Sequence, residues 1–157
     1  MSQVDVAVTD PRDPAARYCL HAYFAELADR FDGGFDPALS ISAGDAELTA
    51  PAGLLLVATL HGEPVGCAAL KFSAADGIAE AKRMWVAPDV RGLGLGRRLL
   101  AALEAQAASR GIRLLRLETN RSLTEAVAMY RAAGFREVEA FNDEAYAHHW
   151  FEKAIAG

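Results

Sequence analysis

The chain predicts a mixed α/β domain, a central sheet with helices packed on it. Short apolar runs bounded by turn residues recur along its length, the signature of strands. Between them lie segments whose apolar residues fall at helical spacing. A length of 157 residues, 52% hydrophobic and 24% charged, suits one domain over residues 1–157 that buries a single core.

Taken in order, Val4, Val6 and Val8 alternate with Asp5 and Ala7, the period of a half-buried strand. Asp13 before Pro14 offers an N-cap and a proline at the first helical position. Leu20, Tyr23, Phe24 and Leu27 then carry a helix to Arg30. Residues 31–53, rich in Gly, Asp, Ser and Pro, read as a loop with room for a short helix. Residues 54–61 and 65–72 flank Gly62-Glu63-Pro64 as a hairpin, and a third strand spans residues 78–86. The next helix sets Leu95, Leu99, Leu103 and Ala107 on one face, Arg97 and Glu104 on another, and stops at Gly111. Residues 112–119 form a strand. Ser122-x-x-Glu125 is a capping box for a helix through Ala133, with Gly134 as its stop. Residues 136–141 and 148–153 are the last two strands, joined by residues 142–147.

The loop before the second long helix carries the chemistry. Gly92, Gly94 and Gly96 lie among Arg91, Arg97 and Arg98 at a helix start. Such a start exposes backbone N–H groups and the positive end of the dipole, so it favours a phosphate. Three arginines there are unfavourable unless an anion compensates; the plainer reading is a solvated charged turn. The dinucleotide fingerprint does not fit, since its third glycine arrives one residue early, and no Gly-Lys-Ser/Thr ending marks a Walker loop.

Arg91-x-x-Gly94-x-Gly96 does fit another pattern: it resembles the acyl-CoA loop of the GNAT N-acetyltransferases. Met84-Trp85-Val86-Ala87-Pro88 is similar to the family's apolar strand ending in Val-x-Pro, and Tyr130-Arg131-Ala132-Ala133-Gly134-Phe135 to its Tyr-x-x-x-Gly-Phe. The resemblance extends over roughly residues 50–153, about one domain's worth. It implies the GNAT fold, a mixed and mostly antiparallel sheet of roughly six to seven strands flanked by about four helices. It also implies acetyl-CoA as co-substrate and transfer of its acetyl group to a primary amine by direct attack in a ternary complex.

Residue by residue, the resemblance assigns cofactor binding to Met84, Trp85, Val86, Arg91, Gly92, Leu93, Gly94, Leu95, Gly96, Arg97 and Arg98. Val86 would act through its backbone N–H and C=O toward pantetheine, and Met84 through its carbonyl. Many members carry an asparagine seven residues before the tyrosine. Here that position is Leu123, and Asn120 is the candidate substitute. Transfer requires the ammonium to lose a proton, the oxyanion to be stabilised and the thiolate to be protonated. Glu80, on the strand leading into the loop, matches the base of the histone-acetyltransferase members, with Glu118 as second candidate. The alternative for Glu80 is a structural or substrate-binding carboxylate. Tyr130 matches the phenol that faces the sulfur; its alternative is plain core packing.

On the acceptor side the candidates are Tyr23, Glu26, Phe31, Tyr146 and His148. Glu26, Asp29, Asp32, Asp36, Asp45 and Glu47 form an acidic run, ordinarily a solvated face. Bordering the pocket, it would favour a cationic acceptor over an anionic one. His148 and His149 point to opposite faces of a strand and no ligand cluster completes a site, so no metal is expected.

The formal net charge of −5 argues against nucleic acid. The longest apolar run, residues 54–60, is too short to span a bilayer, and the first residues lack the apolar core of a secretion signal. Cys19 and Cys67 are isolated, as expected of reduced structural thiols in the cytoplasm. Two rivals stand beside the enzyme. One is an acyl-CoA-binding regulatory module that would tolerate loss of Glu80 and Tyr130. The other is a homodimeric interaction protein using its C-terminal strands. A small-molecule or peptide amine is the expected acceptor, and its identity is left open.

Overall fold

The computed structural model describes residues 4–40, 44–72 and 77–155. Seven strands form one sheet: β1 (Val4–Val8), β2 (Gly53–Leu60), β3 (Glu63–Phe72), β4 (Ile78–Val86), β5 (Leu114–Thr119), β6 (Arg136–Val138) and β7 (His149–Ala154), in the order β1-β2-β3-β4-β5-β7-β6. Every neighbouring pair is antiparallel except β4 and β5. Residues 53–58 of β2 are all buried, which explains a continuous apolar run where a half-exposed strand would alternate. The helices are α1 (Pro14–Arg30), α2 (Leu95–Ala108) and α3 (Thr124–Ala132). Both α1 and α2 pack on β3 and β4. A continuous core runs from Val4 through Leu55, Leu70, Leu99, Leu103 and Leu115 to Phe151. Gly66 permits the close approach of α2, because a Cβ there would sit 3.0 Å from both Leu99 Cδ1 and the Trp85 carbonyl.

Three α-helices among the described residues are one fewer than the expected four or so. The segment after α1 makes two 3₁₀ turns instead, Pro37–Leu39 and Asp45–Leu48; residues 41–43 of it lie outside the described residues. The hairpin turn is tighter than expected. His61 and Gly62, with φ of 52° and 81°, make it alone, and Glu63 and Pro64 already belong to β3. The capping box at Ser122 does not form. Asn120 Oδ1 accepts the Ser122 N–H at 2.8 Å and Glu125 turns to Arg30, so α3 starts at Thr124. β6 stops at Val138, three residues short of its expected end.

Two irregularities interrupt β4. Its ladder with β5 pairs only Ile78, Ala79 and Glu80 with Leu114, Leu115 and Arg116; beyond that the two strands part. On its other edge, the register against β3 slips between Cys67 and Ala69. Arg83 lies in this bulge with φ of 58°, a left-handed conformation that costs a non-glycine residue about 1–2 kcal/mol.

Candidate active site

The parting of β4 from β5 opens two adjoining cavities. The larger, about 540 Å³, runs between β4, the loop before α2, and α1 and α3. The smaller, about 110 Å³, lies between β4 and β5 under the aromatic residues of α1. Tyr23, Leu27, Met84, Leu123 and Ala126 border both, so they form the throat between them.

Of the expected cofactor residues, Met84, Trp85, Val86, Arg91, Gly92, Gly94, Leu95, Gly96 and Arg97 line the larger cleft. Leu93 and Arg98 are exposed and lie outside its lining. Gly94 caps α2 with φ of 81°, the left-handed geometry that turns the loop into the helix. Arg91 N–H reaches Pro88 O and Arg98 N–H reaches Gly94 O. Among the described residues, the backbone N–H groups of residues 92–97 donate no hydrogen bond. This row of unpaired donors at a helix start is an anion site in waiting.

An ion-pair network walls the same cleft. Arg91 Nε donates to the Val86 carbonyl at 2.9 Å, and its Nη2 pairs with Glu26. Arg30 pairs with Glu26 at 3.0 Å and Glu125 at 2.7 Å, and donates to Ser122 O at 2.7 Å. The Arg30 hydrogen bond holds the Glu125 carboxyl down to about 2. Glu26, expected on the acceptor side, thus lines the larger cleft and is engaged by two arginines.

The smaller cavity gathers Tyr23, Phe31 and Tyr146 as expected, together with Phe24, Phe35, Ala81, Lys82, Arg83, Glu118, Asn120, Tyr130 and Glu144. Glu118 is 8% exposed at its side chain and pairs with Lys82, 9% exposed, at 3.3 Å. Its Oε1 also faces Asn142 Nδ2 at 3.4 Å, while its Oε2 is buried with no hydrogen-bond partner among the described residues. Burial raises the phenols of Tyr23 and Tyr130 well above their ordinary value, so both remain protonated donors at neutral pH. Arg83 lies over the Phe24 ring at 4.9 Å, and burial lowers its guanidinium pKa.

Three expected residues sit elsewhere. Glu80 lines neither cavity; it lies where the β4–β5 ladder ends, opposite Lys71 and Arg116. Asn120 borders the smaller cavity, not the larger cleft. Its amide is used internally, donating to Tyr146 O at 2.7 Å and accepting from Ser122 N. His148 is exposed, outside both linings, and accepts the Arg121 N–H at 3.2 Å. Among the six acids of the run, only Glu26 lines either of these two cavities. Asp45 pairs with Arg17, Glu47 with Lys71, and Asp36 caps a 3₁₀ turn. Among the described residues, no group of His, Cys, Asp and Glu is arranged to hold a metal, and no helix is long and apolar enough to cross a membrane.

A splayed sheet with unpaired N–H groups at a helix start on one side and a carboxylate-bearing cavity on the other is an arrangement that suits acyl transfer. The family model for the acetyltransferase (GNAT) family matches residues 20–135, and the chain belongs to that family. It is 39% identical over 113 residues to an IAA acetyltransferase from Azospirillum brasilense, covering 71% of this chain and 74% of that protein. An N-acetyltransferase of uncharacterised role from Schizosaccharomyces pombe is 35% identical over 58% of this chain and 56% of its own. Among solved structures, a Klebsiella pneumoniae chain provisionally described as an acyl-CoA N-acyltransferase superposes with a TM-score of 0.79 at 28% identity, over 99% of each chain. A GNAT-family acetyltransferase from Staphylococcus aureus shares the fold at TM-score 0.81 and 17% identity, over 97% of this chain and 99% of that one. The protein is accordingly an acyltransferase, and acyl-CoA is the donor that the family implies.

Proposed function

We propose that this acyltransferase moves the acetyl group of acetyl-CoA to a small primary amine, by direct attack with both substrates bound. The larger cleft takes the cofactor, its pyrophosphate on the N–H groups of residues 92–97 and its pantetheine along Met84 to Val86. Leu93 and Arg98 remain proposed contacts of the phosphate-bearing end. The thioester lies at the throat and the amine in the smaller cavity.

The observation that carries the reading is the Glu118 carboxylate, buried in that cavity with Oε2 unpartnered beside a fixed Lys82. It can accept the proton that an ammonium must lose before its lone pair attacks the thioester carbon. Glu118 is therefore preferred as base, with Glu80 as the rival it must be tested against. As the new C–N bond forms and the C–S bond breaks, the thiolate takes a proton from a phenol, which regains one from the newly acylated nitrogen. Tyr130 is the proposed donor. It shares a face of α3 with Ala126, one turn away at the throat, and Tyr23 is the rival. The Val86 N–H is the proposed oxyanion donor. The acetyltransferase name of the Azospirillum relative supports acetyl as the group moved.

Calorimetry with acetyl-CoA, followed by a free-thiol release assay over a panel of amines, tests the reading. Binding plus amine-dependent thiol release is expected. Binding without release on any amine would favour a cofactor-binding regulatory role, and absence of binding would reject the assignment outright.

A further inference from the structure

Five aromatic side chains line the smaller cavity and touch one another in an unbroken series. Tyr23 meets Phe24 edge-on at 5.4 Å between ring centroids, and Phe24 stacks on Phe35 at 5.7 Å. Phe35 lies 4.8 Å from Tyr146, and Phe31 lies 5.6 Å from it. Phe31 is buried, whereas Phe24, Phe35 and Tyr146 are half-buried, so part of each ring is left for a guest. Tyr146 is held in place: its hydroxyl accepts the Asp36 N–H at 2.8 Å and its carbonyl accepts from Asn120 Nδ2 at 2.7 Å. A ring fixed before its ligand arrives loses little freedom on binding. The same cavity holds Glu118, 8% exposed, whose Oε2 has no hydrogen-bond partner among the described residues. A buried acceptor of that kind calls for a donor, and an amine N–H supplies one. Charged side chains of the two signs line the cavity in equal number, Lys82 and Arg83 with Glu118 and Glu144, so the body of a guest needs no charge of its own. The volume of about 110 Å³ is somewhat below the ~150 Å³ of a cavity that takes benzene. With its mouth at the throat, it suits one ring and not two.

We propose that the acceptor is an amine carried on a single aromatic ring by a short alkyl arm, and that Phe24, Phe35 and Tyr146 are the residues that select it. The ring would lie against those three side chains, offset-stacked or edge-on, and the nitrogen would face Glu118 Oε2. This rests on the proposed acetyl transfer and specifies its acceptor. An aliphatic body of equal size would gain from burial alone. A ring adds contacts between complementary π faces and edges, worth about 2–10-fold in affinity beyond the area buried.

The test compares phenethylamine with three other amines. 2-Cyclohexylethylamine matches its size without a π face, butylamine leaves much of the cavity unfilled, and tryptamine carries two fused rings. The wild-type enzyme is expected to favour phenethylamine in kcat/KM by about 3–10-fold over the cyclohexyl amine and by about 10-fold or more over the other two. Basicity also differs along the series, so the deciding quantity is how a substitution changes each ratio. Phe35→Leu and Tyr146→Leu should each bring phenethylamine to about parity with the cyclohexyl amine. Tyr146→Phe, which keeps the ring and gives up the hydroxyl, should hold the preference, which a merely structural role would not predict. No preference for the ring in the wild type, a preference for butylamine or tryptamine, or equal losses on both matched amines in the leucine variants overturns the inference. Acetyl-CoA affinity, followed by calorimetry, should be the same in all four proteins; absence of binding to the wild type would strike the proposed function instead. Should no amine turn over, calorimetric titration of the acetyl-CoA complex with phenethylamine reads the cavity alone. Binding that Phe35→Leu weakens by about 3–10-fold supports the inference; binding that it leaves unchanged, or no binding to the wild type, rejects it.

Discussion

Replacing Glu118 by glutamine removes one charge from a pair whose partners are only 8% and 9% exposed and 3.3 Å apart. The ammonium of Lys82 is left in a cavity wall without its counter-charge. Breaking a buried pair in this way costs about 3–5 kcal/mol, and since glutamine still offers Lys82 a carbonyl, a loss of about 3 kcal/mol is expected. For a protein of this size that lowers Tm by about 6–12 °C in a thermal melt. Turnover should fall by about 10²–10⁴-fold with acetyl-CoA affinity nearly intact. The double variant Lys82→Met, Glu118→Gln separates the two effects. With no charge left to strand, it should regain most of the melting temperature while its kcat stays low. A double variant that recovers both would reduce Glu118 to a counter-ion. A Glu80→Gln enzyme that alone loses about 10²-fold or more in kcat would return the base role to Glu80.

Gly94→Val, at φ of 81°, should cost about 1–2 kcal/mol of stability and abolish acetyl-CoA binding by calorimetry; a folded variant with unchanged affinity would refute the cradle. Tyr130→Phe should lower kcat more than it raises the acetyl-CoA KM; if Tyr23→Phe alone does so, the proton comes from α1. The Glu125 carboxyl is depressed from 4.5 to about 2 by Arg30, so its contribution to stability is full above about pH 4.5 and fades as pH falls toward 2. With its side chain 63% exposed, screening holds that contribution to about 1 kcal/mol or less. Urea midpoints of Glu125→Gln should therefore vary less than those of the wild type between pH 4.5 and 2, and identical slopes would contradict the assignment.

The larger cleft was legible because its determinants are local. Gly94, Arg91 and the apolar strand before them sit within a few positions of one another, and their spacing alone dictates a loop feeding a helix start. The strands and long helices were legible for the same reason: period and punctuation are properties of neighbours. The smaller cavity was not. Its wall depends on a register slip opposite Ala68 that brings Arg83 round with Lys82, and alternation along β4 gives no hint of it. Glu118 outranks Glu80 at the cavity only because β4 and β5 part after Glu80, which no single strand encodes. The surroundings of the acidic run were equally hidden from the sequence. Among the described residues three of its six charges are matched, Glu26 by Arg30 one turn away and by Arg91, Asp45 by Arg17 and Glu47 by Lys71, the last three partners lying far off in the chain.

The throat shared by the two cavities is also a barrier to water. Four of its five side chains, Leu27, Met84, Leu123 and Ala126, offer nothing to hold a water molecule, and the fifth, Tyr23, is a phenol kept neutral by burial. A thioester seated there would meet few solvent molecules able to compete as nucleophiles, so an amine arriving from the cavity side has little rivalry from hydrolysis. The same dryness taxes the acceptor, which must shed its own hydration shell to enter. An amine whose other end finds the aromatic wall of the smaller cavity recovers part of that loss, whereas a small, strongly hydrated one does not. Discrimination among amines would thus begin with how tightly each holds its water, before any bond to carbon is made.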